Sequence, residues 1–275
     1  TKGIAVALAD GISSSDVSQI ASESAVSGFL SDYYCTSEAW SVSKSAQSVL
    51  LASNSWLNTQ TRQSQYAYER DKGYVCTFSG MVFKSNTAHI FHVGDSRIYR
   101  LQQENLQLLT EDHRFWVSQN QSYLSRALGI NPQVEIDYHA HPIAPGDLFV
   151  LATDGVYEYV DGHYIAEAIQ QHSHDLNTAA QQIVAHALAQ GSTDNLTVQI
   201  VRIDTVPEQT AGEIYQQLTE LPFPPELEPG KIFDGYTIVR ELHSSSRSHV
   251  YLALDNDTQQ QVVLVLILQL LLQLI

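Results

Sequence analysis

Five consecutive apolar residues, Leu148-Phe149-Val150-Leu151-Ala152, stop abruptly at Thr153-Asp154-Gly155. An unbroken run of this length suits a strand buried on both faces, so the chain must supply a covering layer on each side of it. The run also delivers a carboxylate to the point where a buried strand meets a tight turn. A lone carboxylate there loses hydration, and the usual remedies are a hydrogen-bond donor, a cation or a metal. The start of the chain repeats the design, since Ile4–Ala9 (IAVALA) is apolar and ends in Asp10-Gly11. Two such strand ends predict a shared acidic site.

The segments between these runs read coarsely. After a Ser-rich loop over Ile12–Asp16, Ser18–Tyr33 carries Ile20, Ala25, Phe29 and Tyr33 near helical spacing. Val42, Ala46, Val49, Leu50, Ser53 and Leu57 mark a second amphipathic helix, with Ser41 or Ser43 as its cap. From Gly73 onward short β-rich runs predominate: Val75–Lys84, Thr87–Val93, Ile98–Leu101, Leu106–Leu109, Val134–His139, Leu148–Ala152 and Leu196–Ile203. Helical pattern returns only over Tyr164–Gln171 and Thr178–Gln190, between the last two strands. The order lacks the βαβ alternation of a parallel sheet. It predicts an α+β fold, a layered body in which helix pairs cover antiparallel sheets.

Residues 205–231 hold Pro207, Pro222, Pro224, Pro225 and Pro229 with several Glu, and read as a linker with room for one short helix around Ala211–Leu221. Beyond it, Tyr236–Glu241, Val250–Leu254 and Val262–Val265 read as three strands of a further, incomplete domain over 232–275. The nearly all-aliphatic Val262–Ile275 falls short of the about 20 residues a bilayer span needs and reads as an aggregation-prone end. No membrane span is expected.

The balance of 14 basic against 30 acidic residues, a net charge of -16, excludes nucleic acid and anionic membranes as partners. It is compatible with a site that gathers divalent cations, although a solvated acidic surface explains such a balance more often. Cys35 and Cys76 lack metal-ligand spacing and read as buried thiols of a reducing, cytoplasmic compartment.

Two more carboxylates stand at strand boundaries: Asp95, after Ile90–Val93, and Asp194, just before Leu196–Val201. Any one of these acids is by itself more often a turn former or helix cap. Four oxygen donors that converge, with no Cys and no obligatory His, favour Mg²⁺ or Mn²⁺ over zinc. Asp95 is the weakest of the four, since Arg97 could pair with it. His113 is expected to brace a turn, and Arg126 to form a structural salt bridge.

The set LADG (Leu8–Gly11), HVGDSRIY (His92–Tyr99), LTEDH (Leu109–His113), LSRALG (Leu124–Gly129), ATDGVYEYV (Ala152–Val160) and GSTDNLTV (Gly191–Val198) resembles the protein phosphatase 2C family, in order and spacing, over roughly residues 1–204. The resemblance implies a metal-dependent protein serine/threonine phosphatase built as an α/β/β/α sandwich, two antiparallel sheets flanked by helix pairs. It implies a pair of Mg²⁺ or Mn²⁺ ions, with Asp10 bridging both, the Gly11 carbonyl helping to hold one, and Asp154 and Asp194 holding the other. It implies a third, looser ion at Asp95 together with Asp154. No side-chain nucleophile is implied, because water activated by the ions attacks phosphorus. An Arg and an acidic pair that the family carries upstream of its first strand have no counterpart here, so the domain reads as truncated at its start. The general-acid His that some members carry after the first Asp-Gly is Ile12 here.

Residues 232–275 resemble the opening of a protein kinase small lobe, with GYTIVREL followed by VYLALDNDTQQQVVLV. The glycine positions of that family's nucleotide loop are His243, Ser245 and Ser248, and its lysine position is Val265, so no kinase activity is expected. The combined expectation is a phosphatase of bacterial signalling proteins, fused to a kinase domain in cis. The alternative is a catalytically impaired fragment serving as a regulatory or docking module.

Overall fold

The computed structural model describes residues 2–102, 105–118, 121–207, 227–245 and 248–267. The chain divides into two compact units, Thr1–Glu208 and Gln209–Ile275. The short helix expected around 211–221 and the aliphatic residues 268–275 lie outside the described residues.

The first unit opens with β1 (Ile4–Leu8), α1 (Ser18–Cys35) and α2 (Val42–Gln63). Then come β2 (Phe78–Lys84), β3 (Thr87–Val93), β4 (Arg97–Gln102), β5 (Asn105–Leu108), β6 (Arg114–Ser118), β7 (Gln121–Leu124), β8 (Asp137–Pro142) and β9 (Leu148–Ala152). It closes with α3 (Asp154–Tyr157), α4 (Gly162–Gln171), α5 (Leu176–Ala189) and β10 (Val198–Arg202). One antiparallel sheet has the order β1-β2-β3-β8, a second has β10-β9-β4-β5, and β6-β7 form a separate hairpin.

Side-chain alternation explains why the apolar runs are unbroken. Successive residues of a strand point to opposite faces, and here both faces are covered. Phe78 and Val82 of β2 pack with Phe29, Tyr33, Leu50 and Leu57 of the α1–α2 pair. Their neighbours Met81 and Phe83 join Ile90, Ile98, Phe149 and Leu151 between the two sheets. Val150 and Ala152 of β9 turn the other way, onto Ile165, Ile169 and Ile183 of the α4–α5 pair. The result is the expected α/β/β/α layering. Ser41 caps α2, its side chain accepting from the Lys44 amide at 3.1 Å, as its residue type favours.

Three local expectations change. The strand expected over Val134–His139 runs instead over Asp137–Pro142; Val134 and Ile136 precede it and pack against the α1–α2 side of the core. The turn expected at Thr153-Asp154-Gly155 is the entry to α3, one helical turn starting at Asp154. Of the two cysteines, Cys76 is buried but Cys35, the last residue of α1, is exposed.

The second unit is an antiparallel meander, β11 (Ile232–Phe233), β12 (Tyr236–Ser244), β13 (Ser248–Asp255) and β14 (Gln261–Ile267), in that spatial order. Its core is small, made of Leu227, Ile238, Tyr251 and Ala253, and Val239, Val263 and Val265 stay exposed. Among the described residues no helix is long and apolar enough to cross a membrane.

Candidate active site

The ends of β1, β3 and β9 meet at a cleft of about 370 Å³ lined by Asp10, Gly11, Asp95, Arg114, Tyr123 and Asp154, among others. Each acid is positioned by backbone, not by chance proximity. The Asp10 amide donates to Thr77 Oγ1 at 3.0 Å, and the Thr77 amide donates back to the Asp10 carbonyl at 2.7 Å. Thr77 Oγ1 is also 2.7 Å from Ser96 Oγ, which ties the first strand end to the loop carrying Asp95. That loop turns at Gly94, whose φ of +112° suits glycine; a Cβ there would lie 2.6 Å from the Thr77 Cβ.

His113 braces the same loop from below. Its backbone amide donates to the Gly94 carbonyl at 2.8 Å, and its Nδ1 accepts from the Gly94 amide at 3.0 Å. Nδ1 is thereby the acceptor nitrogen, so Nε2 carries the proton and donates to Asp137 Oδ2 at 2.9 Å. Arg126 donates to the other Asp137 oxygen at 2.8 Å. Burial alone would raise the Asp137 pKa; the bonds from His113 and Arg126 outweigh it and hold the carboxyl below its usual range. The Tyr157 hydroxyl donates to the Asp95 carbonyl at 2.8 Å, and the Arg97 guanidinium lies 3.7 Å over the Tyr157 ring.

Asp154 and Asp194 are brought together by interlocked loops. Thr153 Oγ1 donates to the Asn195 carbonyl and accepts from the Thr197 amide, and Ser192 Oγ donates to the Gly155 carbonyl at 2.8 Å. A Cβ on Gly155 would stand 2.6 Å from the Asn195 carbonyl oxygen, so a larger residue would force the two loops apart. Asp194 itself is exposed and not part of the cleft lining.

The acids act on one another through their charge. Burial pushes the Asp10 carboxyl up to about 7, and the charges of Asp154, Asp194 and Asp95 add to the effect. Asp154 is pushed up to about 6 by burial, Asp95 and Asp194, with Arg114 opposing. These are carboxylates short of positive charge. Among the described residues, no three His, Cys, Asp or Glu side chains stand in an arrangement that would hold a metal ion as they lie. The donor chemistry nevertheless fits a hard divalent cation, being all oxygen and under-neutralised.

Arg114, the first residue of β6, is a site residue that the sequence does not announce. It donates from Nε to Asp95 Oδ2 at 2.5 Å, from Nη2 to Asp154 Oδ2 at 2.6 Å and from Nη1 to Glu158 Oε1 at 2.6 Å. Asp95 therefore pairs with Arg114, not with Arg97, which instead binds Asp112 at 2.7 Å. The one signal in the sequence is compositional: Arg114 directly follows the Asp112-His113 pair in a chain with few basic residues. Of the other histidines, His92 is buried between Ser79 Oγ and the Glu111 carbonyl, and burial pushes its pKa down to about 4; His139, His141, His172 and His174 form no ligand set among the described residues.

A two-sheet sandwich with paired helices on each face and an acidic cleft at one rim defines the class of the molecule. The sequence pattern of the family described as Protein phosphatase 2C matches residues 1–196, and the chain belongs to that family. It is 29% identical over 223 residues to the serine/threonine phosphatase stp of Listeria monocytogenes serovar 1/2a, covering 72% of this chain and 84% of that protein. The fold superposes on a serine/threonine phosphatase of S. agalactiae with a TM-score of 0.63 at 25% identity, over 73% of this chain and 87% of that one. It also superposes on the catalytic domain of the phosphatase PstP, solved in complex with two manganese ions, with a TM-score of 0.61 at 24% identity over 73% and 87% of the respective chains.

Proposed function

We propose that this chain is a protein serine/threonine phosphatase that hydrolyses phosphomonoesters with Mg²⁺ or Mn²⁺, and that Asp10, the Gly11 carbonyl, Asp154 and Asp194 hold the ions. The observation that carries this reading is that Asp10 and Asp154, far apart in the sequence, line one cleft, with the charge of Asp194 acting on both. Family membership supports the reaction class, and the manganese found in PstP supports the choice of metal.

Phosphate monoester hydrolysis is among the slowest uncatalysed reactions in water. Divalent cations bound here supply a nucleophile drawn from water at neutral pH and neutralise charge on the phosphoryl oxygens. The chain's own residues do the rest. Thr77 fixes the Asp10 backbone, so the carboxylate is presented rather than searched for. The lock between Thr153 and Asn195 sets the spacing of Asp154 and Asp194. Ile12, which lines the cleft just after Asp10-Gly11, offers no proton to a leaving group, so in this reading the alkoxide of serine or threonine takes its proton from water.

The test is phosphate release from a phosphothreonine peptide. With Mn²⁺ the chain turns over; Asp154→Ala and Asp194→Ala abolish release, and full activity in EDTA contradicts the reading. A second reading, a regulatory or docking module with an impaired centre, is favoured by the Arg114 guanidinium already bound to Asp154 at 2.6 Å. It predicts no turnover in any metal.

Part of the proposal is that the substrates are phosphorylated bacterial proteins in the cytoplasm, with a kinase domain fused in cis. The kinase reading of residues 232–275 rests on the sequence resemblance, and an antiparallel meander such as β11-β12-β13-β14 is common to many folds. With Val265 at the lysine position, that unit has no nucleotide chemistry assigned to it.

A further inference from the structure

Arg114 supplies three donor groups to three acids at once. Nε, Nη2 and Nη1 each meet a different carboxylate, those of Asp95, Asp154 and Glu158. The Arg114 side chain is 12% exposed and that of Asp95 10%, so the Asp95 bond is shielded from water and from screening salt. Both Asp154 oxygens already accept a hydrogen bond, Oδ2 from the guanidinium and Oδ1 from the Gly155 amide at 2.8 Å. The backbone at the base of the side chain is held, because the preceding residue, His113, is pinned to Gly94 and Asp137. A guanidinium stays charged across the physiological range and matches carboxylates through directed N–H bonds.

We propose that Arg114 is a built-in cation that closes the Asp95–Asp154 corner of the cleft to divalent metal, so that Asp95 is an arginine partner and not a metal ligand in this protein. One oxygen of each acid, Asp95 Oδ2 and Asp154 Oδ2, already accepts from Arg114. A metal ion enters there only by displacing a tethered, permanently charged side chain. Ion binding is thereby confined to the Asp10 and Asp194 side, and Asp154 is the carboxylate over which the guanidinium and an ion compete. This rests on the reading of the cleft as a divalent-cation site.

Mn²⁺ uptake by the full chain, counted by electron paramagnetic resonance of free Mn²⁺ and by titration calorimetry, tests it without any activity assay. Arg114→Ala is expected to take up one further Mn²⁺ per chain, and Asp95→Asn in that background to remove the gain. Asp95→Asn alone is expected to leave the count of the parent chain unchanged. Arg114→Gln, which keeps a polar side chain without the charge, gives the same gain and serves if Arg114→Ala does not fold. No gain in either Arg114 variant, or a lower count in Asp95→Asn alone, overturns the proposal. A parent chain that takes up no Mn²⁺ while Arg114→Ala does would count against the two-ion reading and in favour of the plug.

Discussion

Asp10 is fixed by its backbone while its carboxylate faces other acids. That arrangement makes its protonation a handle on both stability and metal binding. A carboxyl raised to about 7 in the folded chain, against 3.8 for an ordinary aspartate, binds a proton that the unfolded chain has released. Its contribution to stability is therefore fully present below pH 4 and lost as pH rises through 7. At about 1.4 kcal/mol per pKa unit, the loss at pH 8 for Asp10 is at most about 4 kcal/mol, reduced by whatever solvent screens. Asp154, raised to about 6, contributes in the same direction over a lower window, its share being lost as pH rises through 6. In metal-free buffer the melting temperature should fall between pH 5 and pH 8, and Asp10→Asn should flatten that slope. Mn²⁺ at about 100 times its dissociation constant should restore about 2.7 kcal/mol at pH 8. A melting temperature independent of both pH and Mn²⁺ would contradict the electrostatic picture of the cleft. For the same reason Asp154→Ala should lower Mn²⁺-dependent phosphate release by more than about 100-fold, since outer-shell partners of metal sites alone contribute 10–100-fold.

Elements are legible in the sequence where they are buried on both sides. The run at β9 carries no polar alternation because the α4–α5 pair covers one face and the opposing sheet the other. The edge strand β8 reads DYHAHP, half-exposed and without an apolar run, so the periodicity points to Val134 and Ile136 instead. The β6–β7 hairpin leaves no signal for a related reason: Phe115 and Tyr123, paired across it, are 64% and 56% exposed, and no core demands them. Arg114 lies on that hairpin, so the missed element and the missed site residue have one cause. Asp10, Asp95, Asp154 and Asp194 stand out because strand ends and Asp-Gly turns mark themselves in a sequence; the ion pairs that satisfy them do not. Two predictions belong to this scale. Phe29→Ala should cost about 3–5 kcal/mol in denaturant unfolding, since its ring packs 5.0 Å from Phe78 at the centre of the α1–α2 layer. Gly94→Ala should weaken Mn²⁺ binding as well as stability, because the added methyl meets Thr77, which holds Asp10. A stability loss with unchanged Mn²⁺ affinity would show that Thr77 does not transmit position to the cleft.

At the scale of the whole molecule, the three core clusters of the first unit draw, among the described residues, on none beyond Val206, and the second unit has a cluster of its own. A chain ending at residue 208 should therefore keep a cooperative thermal transition, with a melting temperature within a few degrees of the parent; loss of the transition would show that the first core depends on residues 209–275. The layer order is legible because two helix pairs flank a block of strands in sequence, which only a sandwich with outer helices accommodates simply. The central claim is that one rim of this sandwich holds a pair of hard cations on Asp10, Asp154 and Asp194. Anomalous diffraction at the manganese edge from crystals grown with Mn²⁺ tests it most directly. The account predicts two peaks, both at bonding distance from the Asp10 carboxylate, with Asp154 and Asp194 on one of them and the Arg114 guanidinium between Asp95 and Glu158. No peak at this rim, or peaks bound by other residues alone, would contradict it.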